Sequence, residues 1–408
     1  MRHVIVVGGG AAGLMAALFA VRAGANVTLL ERNEKLGKKI YITGKGRCNL
    51  TNTADLDQFM KKIVRNPRFL YAALAFQSAQ DTMNLMESLG VALKVERGDR
   101  VYPVSDHASD ITRALERELN KLRVKIILNA RVQSLDVSDG IVCGVALENG
   151  QRMKADAVIV ATGGLSYPST GSTGDGYRFA KDMGLTVTPM RPSLTGINTV
   201  ETWPFDLSGL TLKNVSLRMM NGKKKLYDEQ GEILFTHFGI SGPLPLSLSA
   251  LLPDDLHGRA MTIDLKPALD VQTLDARLLR DFKEMSRKQL ISVLDHLAPH
   301  NLAVVIAQLA ALSPLMPVHS VTQAQRSKLI EVIKGMPLTV KSLRDYNEAV
   351  ITRGGVDVRT INPSTMECKR MPGLFFAGEV LDVDAMTGGF NLQIAFSTGA
   401  LAGEYAAK

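Results

Sequence analysis

A glycine-rich turn near the start of the chain has the residue types and spacing of a phosphate-binding loop. Gly8, Gly10 and Gly13 form a G-x-G-x-x-G pattern directly after the apolar run His3–Val7. In such a turn the first glycine permits the bend, the second lets the backbone approach a pyrophosphate, and the third lets helix and strand pack closely. Glu31, 18 residues after Gly13, can accept hydrogen bonds from an adenosine ribose. The pattern predicts a dinucleotide-binding site rather than a purely structural glycine turn.

Two later glycine segments extend this prediction. Ala161-Thr162-Gly163-Gly164 ends an apolar run, and open α/β sheets bind ligands at such carboxyl ends of strands. Gly378-Glu379 follows another apolar run, and Gly388-Gly389 opens the last predicted helix. The N–H groups and dipole of a helix N-terminus suit an anionic or electron-rich group, which in a flavin enzyme is the pyrimidine end of the isoalloxazine. Together the three segments narrow the predicted dinucleotide to FAD.

The spacing of apolar residues predicts an α/β fold that positions these segments. Strands and helices alternate over residues 1–190, and short apolar strands with glycines return after Thr352. We therefore predict a discontinuous FAD-binding Rossmann-like domain of the glutathione-reductase type, formed by residues 1–190 and 351–408. An inserted substrate or partner domain is predicted over residues 191–350. This insert is predicted to be β-rich over 191–270 and 338–350 and helical over 271–337.

Individual elements of the first domain follow from the same periodicity. The predicted helices are Leu14–Ala23, Phe69–Leu89, Ser109–Leu122 and Asn391–Tyr405. The predicted strands are His3–Val7, Asn26–Leu30, Val124–Leu128, Arg131–Asp136, Ile141–Leu147, Asp156–Ala161 and Leu374–Ala377.

The bulk composition is that of an ordinary globular protein. Of the 408 residues, 46% are hydrophobic and 22% are charged, and no apolar run approaches the ~18 residues of a membrane helix. The apolar N-terminal stretch is broken by three glycines, which argues against a signal peptide. Cys48, Cys143 and Cys368 are too widely spaced for a metal motif or a disulfide framework. We expect a cytoplasmic protein with no membrane segment and no metal.

Positive charge is concentrated just after Glu31. Ten basic residues lie between Arg32 and Arg68 against three acidic ones, so this stretch carries +7 of a net +8. The inserted region is close to balance, with 18 basic and 16 acidic residues. One or two of the lysines suit the cofactor phosphates. The rest fit two interpretations, a solvated basic face or a surface for an anionic partner such as RNA.

Several longer segments together resemble a known family. They are GGGAAG (8–13), GKKIYITGKGRCNLTN (37–52), ATGGLSYPSTGSTGDGY (161–177), FTHFGISGP (235–243), TRGGV (352–356) and GLFFAGEVLDVDAMTGGFNLQIAFSTG (373–399). The chain resembles, over its whole length, the BaiN-like or aminoacetone-oxidase-family NAD(P)/FAD-dependent oxidoreductases of bacteria.

The resemblance implies that FAD binds in an extended pose. By position in the motifs, the pyrophosphate would contact Gly8, Gly10, Ala11, Ala12 and Gly13, and the adenosine end would contact Glu31, Arg32 and the backbone of Val132. The flavin side would be lined by Lys38, Lys39, Gly44, Arg47, Cys48 and Asn49. Ala161, Thr162 and Gly163 would flank the cofactor, and Gly378, Glu379, Asn391 and Leu392 would meet its riboflavin part.

The resemblance also implies a reaction, the reduction of a uridine in large-subunit (23S) ribosomal RNA to dihydrouridine. Such a reaction needs a hydride donor for C6 of the uracil ring and a general acid for C5. Cys48 is one candidate for the acid, since Lys45 and Arg47 lie beside it; the alternative is a small buried thiol packed against the flavin. His237 is the second candidate, and its alternative is a structural histidine among aromatic residues.

Two other functions fit the same residues. One is an NAD(P)H-dependent flavin oxidoreductase acting on a small-molecule enone or amine. The other is a non-catalytic flavoprotein that binds nascent ribosomes. No second G-x-G-x-x-G is present, so NADH or NADPH is expected to visit the flavin only transiently as the reductant.

Overall fold

Apolar strands and helices follow one another through the computed structural model, which describes residues 1–222, 224–253 and 255–408. The strands are His3–Val7 (β1), Asn26–Leu30 (β2), Thr51–Asn52 (β3), Ile63–Arg65 (β4), Leu93–Glu96 (β5), Arg100–Pro103 (β6), Lys125–Ile127 (β7), Val132–Ser138 (β8), Ile141–Leu147 (β9), Arg152–Lys154 (β10), Ala157–Val160 (β11), Arg191–Ser193 (β12), Ile197–Thr199 (β13), Thr211–Asn221 (β14), Lys224–Thr236 (β15), Gly239–Ser241 (β16), Ala260–Asp264 (β17), Met336–Leu343 (β18), Ile351–Arg353 (β19), Leu374–Phe376 (β20) and Asp384–Ala385 (β21). The helices are Ala11–Arg22 (α1), Leu56–Lys62 (α2), Tyr71–Phe76 (α3), Ala79–Ser88 (α4), Ala108–Lys121 (α5), Asp175–Asp182 (α6), Pro243–Leu251 (α7), Val271–Glu284 (α8), Leu290–Leu294 (α9), His300–Leu309 (α10), Gln323–Lys334 (α11) and Phe390–Ala406 (α12).

A five-stranded parallel sheet forms the core of the first unit, which comprises Met1–Ser193 and Asp345–Lys408. Its strand order is β20-β11-β1-β2-β7. Strand β1 lies in the middle, paired in parallel with β11 and β2, and Val4, Ile5 and Val6 are fully buried. Nearly continuous apolar strands are typical of a parallel sheet covered on both faces. The predicted α/β Rossmann-like fold is thus confirmed, and β20 joins this sheet from the far end of the chain.

Helices α1 and α12 pack against each other at unusually short range. A Cβ atom on Gly399 or Gly403 would lie 2.2 Å from the carbonyl oxygen of Ala12 or Ala16, respectively. These pairs advance together along both helices, so the helices run parallel. Phe390 lies nine residues before Gly399, whereas α1 begins one residue before Ala12. At 1.5 Å per residue, the N-terminus of α12 extends roughly 12 Å beyond that of α1.

The structure divides the single helix predicted over Phe69–Leu89 into α3 and α4. The Ser78 side chain accepts a hydrogen bond from the Asp81 N–H, and Asp81 accepts one from the Ser78 N–H, which makes a capping box. The carbonyl of Gln77 is used elsewhere, because it accepts hydrogen bonds from Gln393 Nε2 (3.1 Å) and Ser397 Oγ (2.6 Å) on α12. The break therefore anchors α12 to the segment before α4.

The second unit, Leu194–Arg344, has its own architecture and its own core. Its strands form a closed barrel in the order β13-β16-β15-β14-β17-β18, with β18 pairing with β13 to complete the ring. Helices α8 to α11 follow β17 in the chain and supply Leu274, Leu278, Ile306 and Leu329 to the same hydrophobic core. The predicted mixture of β-rich and helical segments is confirmed, while closure of the barrel is a new observation.

None of the helices in the described ranges combines the length and the apolar character needed to cross a bilayer.

Replacing Gly403 by alanine should force α1 and α12 apart, because the new Cβ would meet backbone rather than a flexible side chain. We expect the free energy of unfolding to fall by about 1–3 kcal/mol in spite of the higher helix propensity of alanine. Urea denaturation followed by circular dichroism measures the change. The partly exposed neighbour Glu404→Ala is the control and should change stability by less than about 0.5 kcal/mol. Wild-type stability in Gly403→Ala would contradict the proposed close contact.

Candidate cofactor and active site

The G-x-G-x-x-G turn joins β1 to α1 and has the geometry its glycines require. A Cβ atom on Gly13 would lie 1.8 Å from the Gly8 carbonyl oxygen, and one on Gly8, where φ is +107°, would lie 2.5 Å from the Ala161 carbonyl oxygen. A Cβ on Gly10, by contrast, would meet no atom within 4 Å. Gly8 and Gly13 therefore serve packing, whereas Gly10 borders open space at the N-terminus of α1.

Glu31, the residue after β2, binds the backbone of this turn through its carboxylate. It is 6% exposed, and its carboxylate accepts hydrogen bonds from the Gly9 N–H (2.7 Å) and from the backbone and side chain of Asn33 (2.8 and 2.7 Å). Its carbonyl oxygen accepts a bond from the Ala130 N–H, two residues before the buried Val132. The two residues predicted for the adenosine end, Glu31 and Val132, thus belong to neighbouring segments.

Arg32, also predicted for the adenosine end, contacts residues at the start of α6. Its guanidinium contacts Thr173 and lies 3.1 Å from an Asp175 carboxylate oxygen. Asp175 also accepts a bond from Arg131 at 3.3 Å. Arg32 therefore ties the end of β2 to the first residue of α6.

A polar network of two buried and two partly buried side chains links the segments after β11 and β20 to Lys39 and Thr352. Lys39 Nζ donates to Ser166 Oγ and to a Glu379 carboxylate oxygen, both at 2.6 Å. Ser166 Oγ donates to the other Glu379 oxygen at 2.6 Å, and the same oxygen accepts the Thr352 N–H at 2.8 Å. A Cβ on Gly164 would lie 2.4 Å from Thr352 Oγ1, so this network leaves room only for glycine there. Lys39 and Glu379, both predicted to meet the flavin, are brought together here.

The GKGRCN segment ends in a contact with the N-terminus of α12. Gly44, Lys45, Gly46 and Cys48 all have positive φ, between +57° and +87°, which turns the chain sharply back on itself. With its amide oriented to satisfy both neighbours, Asn49 accepts the Gly389 N–H at 3.0 Å.

The short strand β3 makes further contacts with the N-terminus of α12. Asn52 Nδ2 donates to the Gly388 carbonyl at 3.0 Å. A Cβ on Gly389 would lie 2.3 Å from the Thr51 carbonyl oxygen, and Gly389 has φ +95°, so both sterics and backbone geometry require glycine. Within the first turn of α12, the Asn391 amide bonds the Ala385 N–H and carbonyl, at 2.9 and 2.8 Å, while Leu392 is partly buried. The helix N-terminus is therefore held from both sides.

Arg47 and Lys38, predicted to line the flavin side, are engaged by carboxylates. The Arg47 guanidinium contacts Asp106 at 2.8 Å and also Glu96, and it stacks 4.3 Å above the Tyr102 ring. These carboxylates raise the pKa of Arg47 and keep it charged. Lys38 Nζ lies 3.2 Å from Oε2 of Glu34, four residues earlier in the chain.

The two candidate acids have opposite environments. Cys48 is fully buried, and this burial raises the pKa of its thiol to about 12 despite a hydrogen bond with Thr43. Its thiol therefore keeps its proton at neutral pH. His237 lies in the turn between β15 and β16 of the second unit, exposed, with its ring edge-on to Phe238 at 5.2 Å between centroids.

Thr352 and Asp384 were not predicted as site residues. Asp384 is fully buried beside Ser193, and its Oδ1 has no hydrogen-bond partner among the described residues. Burial raises its pKa to about 6, Asp382 adds to the rise, and the charges of Arg353 and Arg65 oppose it. The sequence carries only a weak signal for Thr352 and Asp384, because both lie inside long motifs in which the glycines and Glu379 stand out.

The site fits an extended flavin dinucleotide. Gly10 borders open space at one helix N-terminus, and the second N-terminus, at Gly389, extends roughly 12 Å further in the same direction. Thr162 Oγ1 follows β11 and is buried without a hydrogen-bond partner in the described residues. Two sites for electron-rich groups, set apart in this way, suit a pyrophosphate and an isoalloxazine. In the same ranges, no group of three or more His, Cys, Asp or Glu side chains is arranged to hold a metal.

Fold and site together define a Rossmann-type flavoprotein oxidoreductase. The family model described as "HI0933-like protein Rossmann domain" matches residues 2–405. The chain belongs to this family, and the predicted family resemblance is confirmed.

Two relatives and one solved structure illustrate the similarity. The 3-dehydro-bile acid delta(4,6)-reductase of Clostridium scindens is 33% identical over the full length of both chains. The ribosomal RNA dihydrouridine synthase of Haemophilus influenzae is 32% identical, over 97% of this chain and 96% of that protein. A 3-ketosteroid-delta4-(5alpha)-dehydrogenase from Rhodococcus jostii RHA1 has the same fold, with a TM-score of 0.56 and 18% identity over 100% of this chain and 97% of that one.

Gly10→Ala should leave the fold intact and weaken FAD binding, because its Cβ would enter open space at the helix N-terminus. We expect the Kd for FAD to rise at least about tenfold, since the backbone must approach the pyrophosphate closely. Titration of apoprotein with FAD, followed by flavin fluorescence, measures the change. Gly13→Ala is the matched comparison and should instead destabilise the protein, because its Cβ would overlap the Gly8 carbonyl. Unchanged FAD affinity in Gly10→Ala would exclude this position for the pyrophosphate.

Asp384→Asn should alter how stability depends on pH. The folded-state pKa of Asp384, about 6, lies above its usual value near 3.8, so the folded protein holds the proton more tightly than the unfolded chain. Stability from this group is therefore present at acid pH and lost as pH rises from about 4 to 6. The Tm of Asp384→Asn relative to wild type should consequently rise over that interval.

Asp357→Asn is the control for this pH effect. The Arg359 side chain lowers the pKa of Asp357, so its carboxylate stays ionised in the folded protein over the same interval. Its Tm relative to wild type should show no such rise. Parallel pH profiles for wild type and Asp384→Asn would refute the assignment.

Proposed function

We propose that this protein is an FAD-dependent reductase that converts a uridine in large-subunit (23S) ribosomal RNA to dihydrouridine. The proposal is supported by the full-length similarity to a ribosomal RNA dihydrouridine synthase. The bile acid reductase is named for a different substrate, but its chemistry is related. The Δ4 double bond of a 3-oxo steroid is conjugated to a carbonyl. The C5=C6 double bond of uracil is conjugated to a carbonyl in the same way.

The chain's residues are proposed to hold the cofactor and supply a proton. When bound, FAD in its reduced form would be the source of the hydride that C6 of the uracil ring requires. The N–H groups in the first turn of α12 would face the electron-rich end of the flavin, and Asn49 and Asn52 hold the residues that precede this turn. Lys39 and Glu379 would position the riboflavin part through their ion pair. NADH or NADPH is the proposed source of the electrons.

Cys48 is the proton donor we propose for C5. Its neighbour Asn49 bonds the N-terminus of α12, and the raised pKa of the thiol keeps it protonated. Because Cys48 is fully buried, the role requires its segment to uncover the thiol when the substrate binds. His237 is the second candidate for this role.

Net positive charge is the observation that favours RNA over a small molecule. The chain carries +8, and Lys61, Lys62 and Arg68 are exposed within the basic stretch. A neutral or anionic small substrate does not need such a surface, whereas RNA binding gains from each phosphate contact. A ribosomal substrate also implies a cytoplasmic location. The bile acid relative favours a small-molecule enone as the second candidate substrate.

The test is to incubate the FAD-loaded protein and NADPH or NADH with 23S ribosomal RNA from a strain that lacks the gene. We expect mass spectrometry to find dihydrouridine in the RNA, and a 3-oxo-Δ4 steroid under the same conditions to be reduced at least about 100-fold less efficiently. Cys48→Ala should retain FAD and lose product at least about 100-fold, in the range of general acid catalysis. The same measurement on His237→Ala tests the second candidate for the proton donor; if His237 is the donor, this variant loses product in place of Cys48→Ala. Efficient steroid reduction without dihydrouridine would favour the second candidate.

A further inference from the structure

A positively charged segment without acidic residues borders the proposed flavin site. Between Asp57 and Asp81 the chain contains Lys61, Lys62, Arg65 and Arg68 and no acidic residue. Lys61, Lys62 and Arg68 are exposed, and no ion pair engages them within the described residues. Arg65 is partly buried and lies 3.5 Å from Asp382. Three positive charges therefore face solvent on a short length of chain.

Most of the neighbouring basic residues are occupied. Lys39 contacts Glu379, Arg47 contacts Asp106 and Glu96, and Lys38 contacts Glu34. Such pairing reduces the field available to an anionic partner. Fewer basic side chains of residues 32–68 are therefore available to an anionic partner than the ten basic residues of this stretch suggest.

An exposed aromatic ring completes the segment. Tyr71 is 57% exposed at the start of α3, three residues after Arg68. Single-stranded RNA binds to surfaces that combine exposed rings and cations, with bases stacking on the rings and phosphates meeting the cations. We call Lys61, Lys62, Arg68 and Tyr71 the basic edge.

The basic edge is fastened to the loop that leads into α12. The Met386 N–H donates to the Lys62 carbonyl at 2.9 Å, and Asn66 Nδ2 donates to the Asp382 carbonyl at 2.6 Å. Strand β4, between these two contacts, pairs with β21. Residues 382–389 thus connect the basic edge directly to Gly389, where the electron-rich end of the flavin is proposed to lie.

We propose that the basic edge is the docking surface for single-stranded ribosomal RNA, an inference that rests on the proposed function. Lys61, Lys62 and Arg68 bind phosphates, and Tyr71 stacks on a base flanking the target uridine. The contacts with residues 382–386 then set the distance from the bound strand to the N-terminus of α12. The partner is identified by its chemistry, a flexible polyanion with accessible bases.

The test uses the FAD-loaded full-length protein and protein-free 23S ribosomal RNA. The variant Lys61→Ala/Lys62→Ala/Arg68→Ala should bind more weakly, and the slope of log K against log salt concentration should become shallower by about 2–3. The control Lys121→Ala/Lys125→Ala/Lys154→Ala removes three exposed lysines elsewhere in the first unit and should bind as wild type does. Tyr71→Ala should weaken binding about tenfold and Tyr71→Phe should restore it. Flavin content and circular dichroism should be unchanged in all variants.

Several outcomes would overturn the inference. They are wild-type binding and salt slope in the basic-edge variant, an equal loss in the control variant, and no RNA binding by the wild-type protein. Binding of phosphatidylglycerol vesicles that depends on the basic edge, with RNA binding unaffected, would assign the surface to a membrane and also overturn it. If RNA binding depends on the basic edge but no dihydrouridine forms, the docking surface stands and the proposed reaction fails.

Discussion

The close contact between helices α1 and α12 is the constraint on which the cofactor site depends. Gly399 and Gly403 let the two backbones touch at Ala12 and Ala16, which no side chain at those positions would allow. The contact also fixes which residues of α1 and α12 lie side by side. It therefore determines how far the N-terminus of α12 extends beyond that of α1. Two helix N-termini are good sites for electron-rich groups only if their separation matches the ligand. The glycines thus set the separation of the two helix N-termini although neither glycine lies at one.

The polar network around Glu379 gives the site its second constraint. Lys39, Ser166, Thr352 and Glu379 come from four segments far apart in the chain, and each uses its hydrogen-bonding groups on the others. Buried polar groups are costly unless all are satisfied, so such a network favours one arrangement strongly. It also explains why the TRGGV segment belongs with the glycine motifs although it contains no phosphate-binding pattern.

The two relatives are named for different substrates, a bile acid and ribosomal RNA. Reduction of a double bond conjugated to a carbonyl needs a hydride donor, a proton donor and a means of holding the acceptor. In the function proposed above, the first two requirements belong to the cofactor site. The third belongs to surfaces outside it, and it is there that a protein specific for RNA must differ from one specific for a steroid.

The sequence by itself determined the local parts of this protein. The turn at Gly8–Gly13, the strands β1 and β11 and the helix α12 follow from glycine placement and apolar periodicity, which act over a few residues. Only the tertiary structure decided which of these parts meet. Barrel closure by β18 and β13, the ion pair of Lys39 with Glu379 and the burial of Asp384 join residues separated by up to hundreds of positions. Periodicity carries no information about such pairings, because they depend on how whole elements pack. The break at Gln77-Ser78 is an example, since its carbonyl is satisfied by α12 more than 300 residues away.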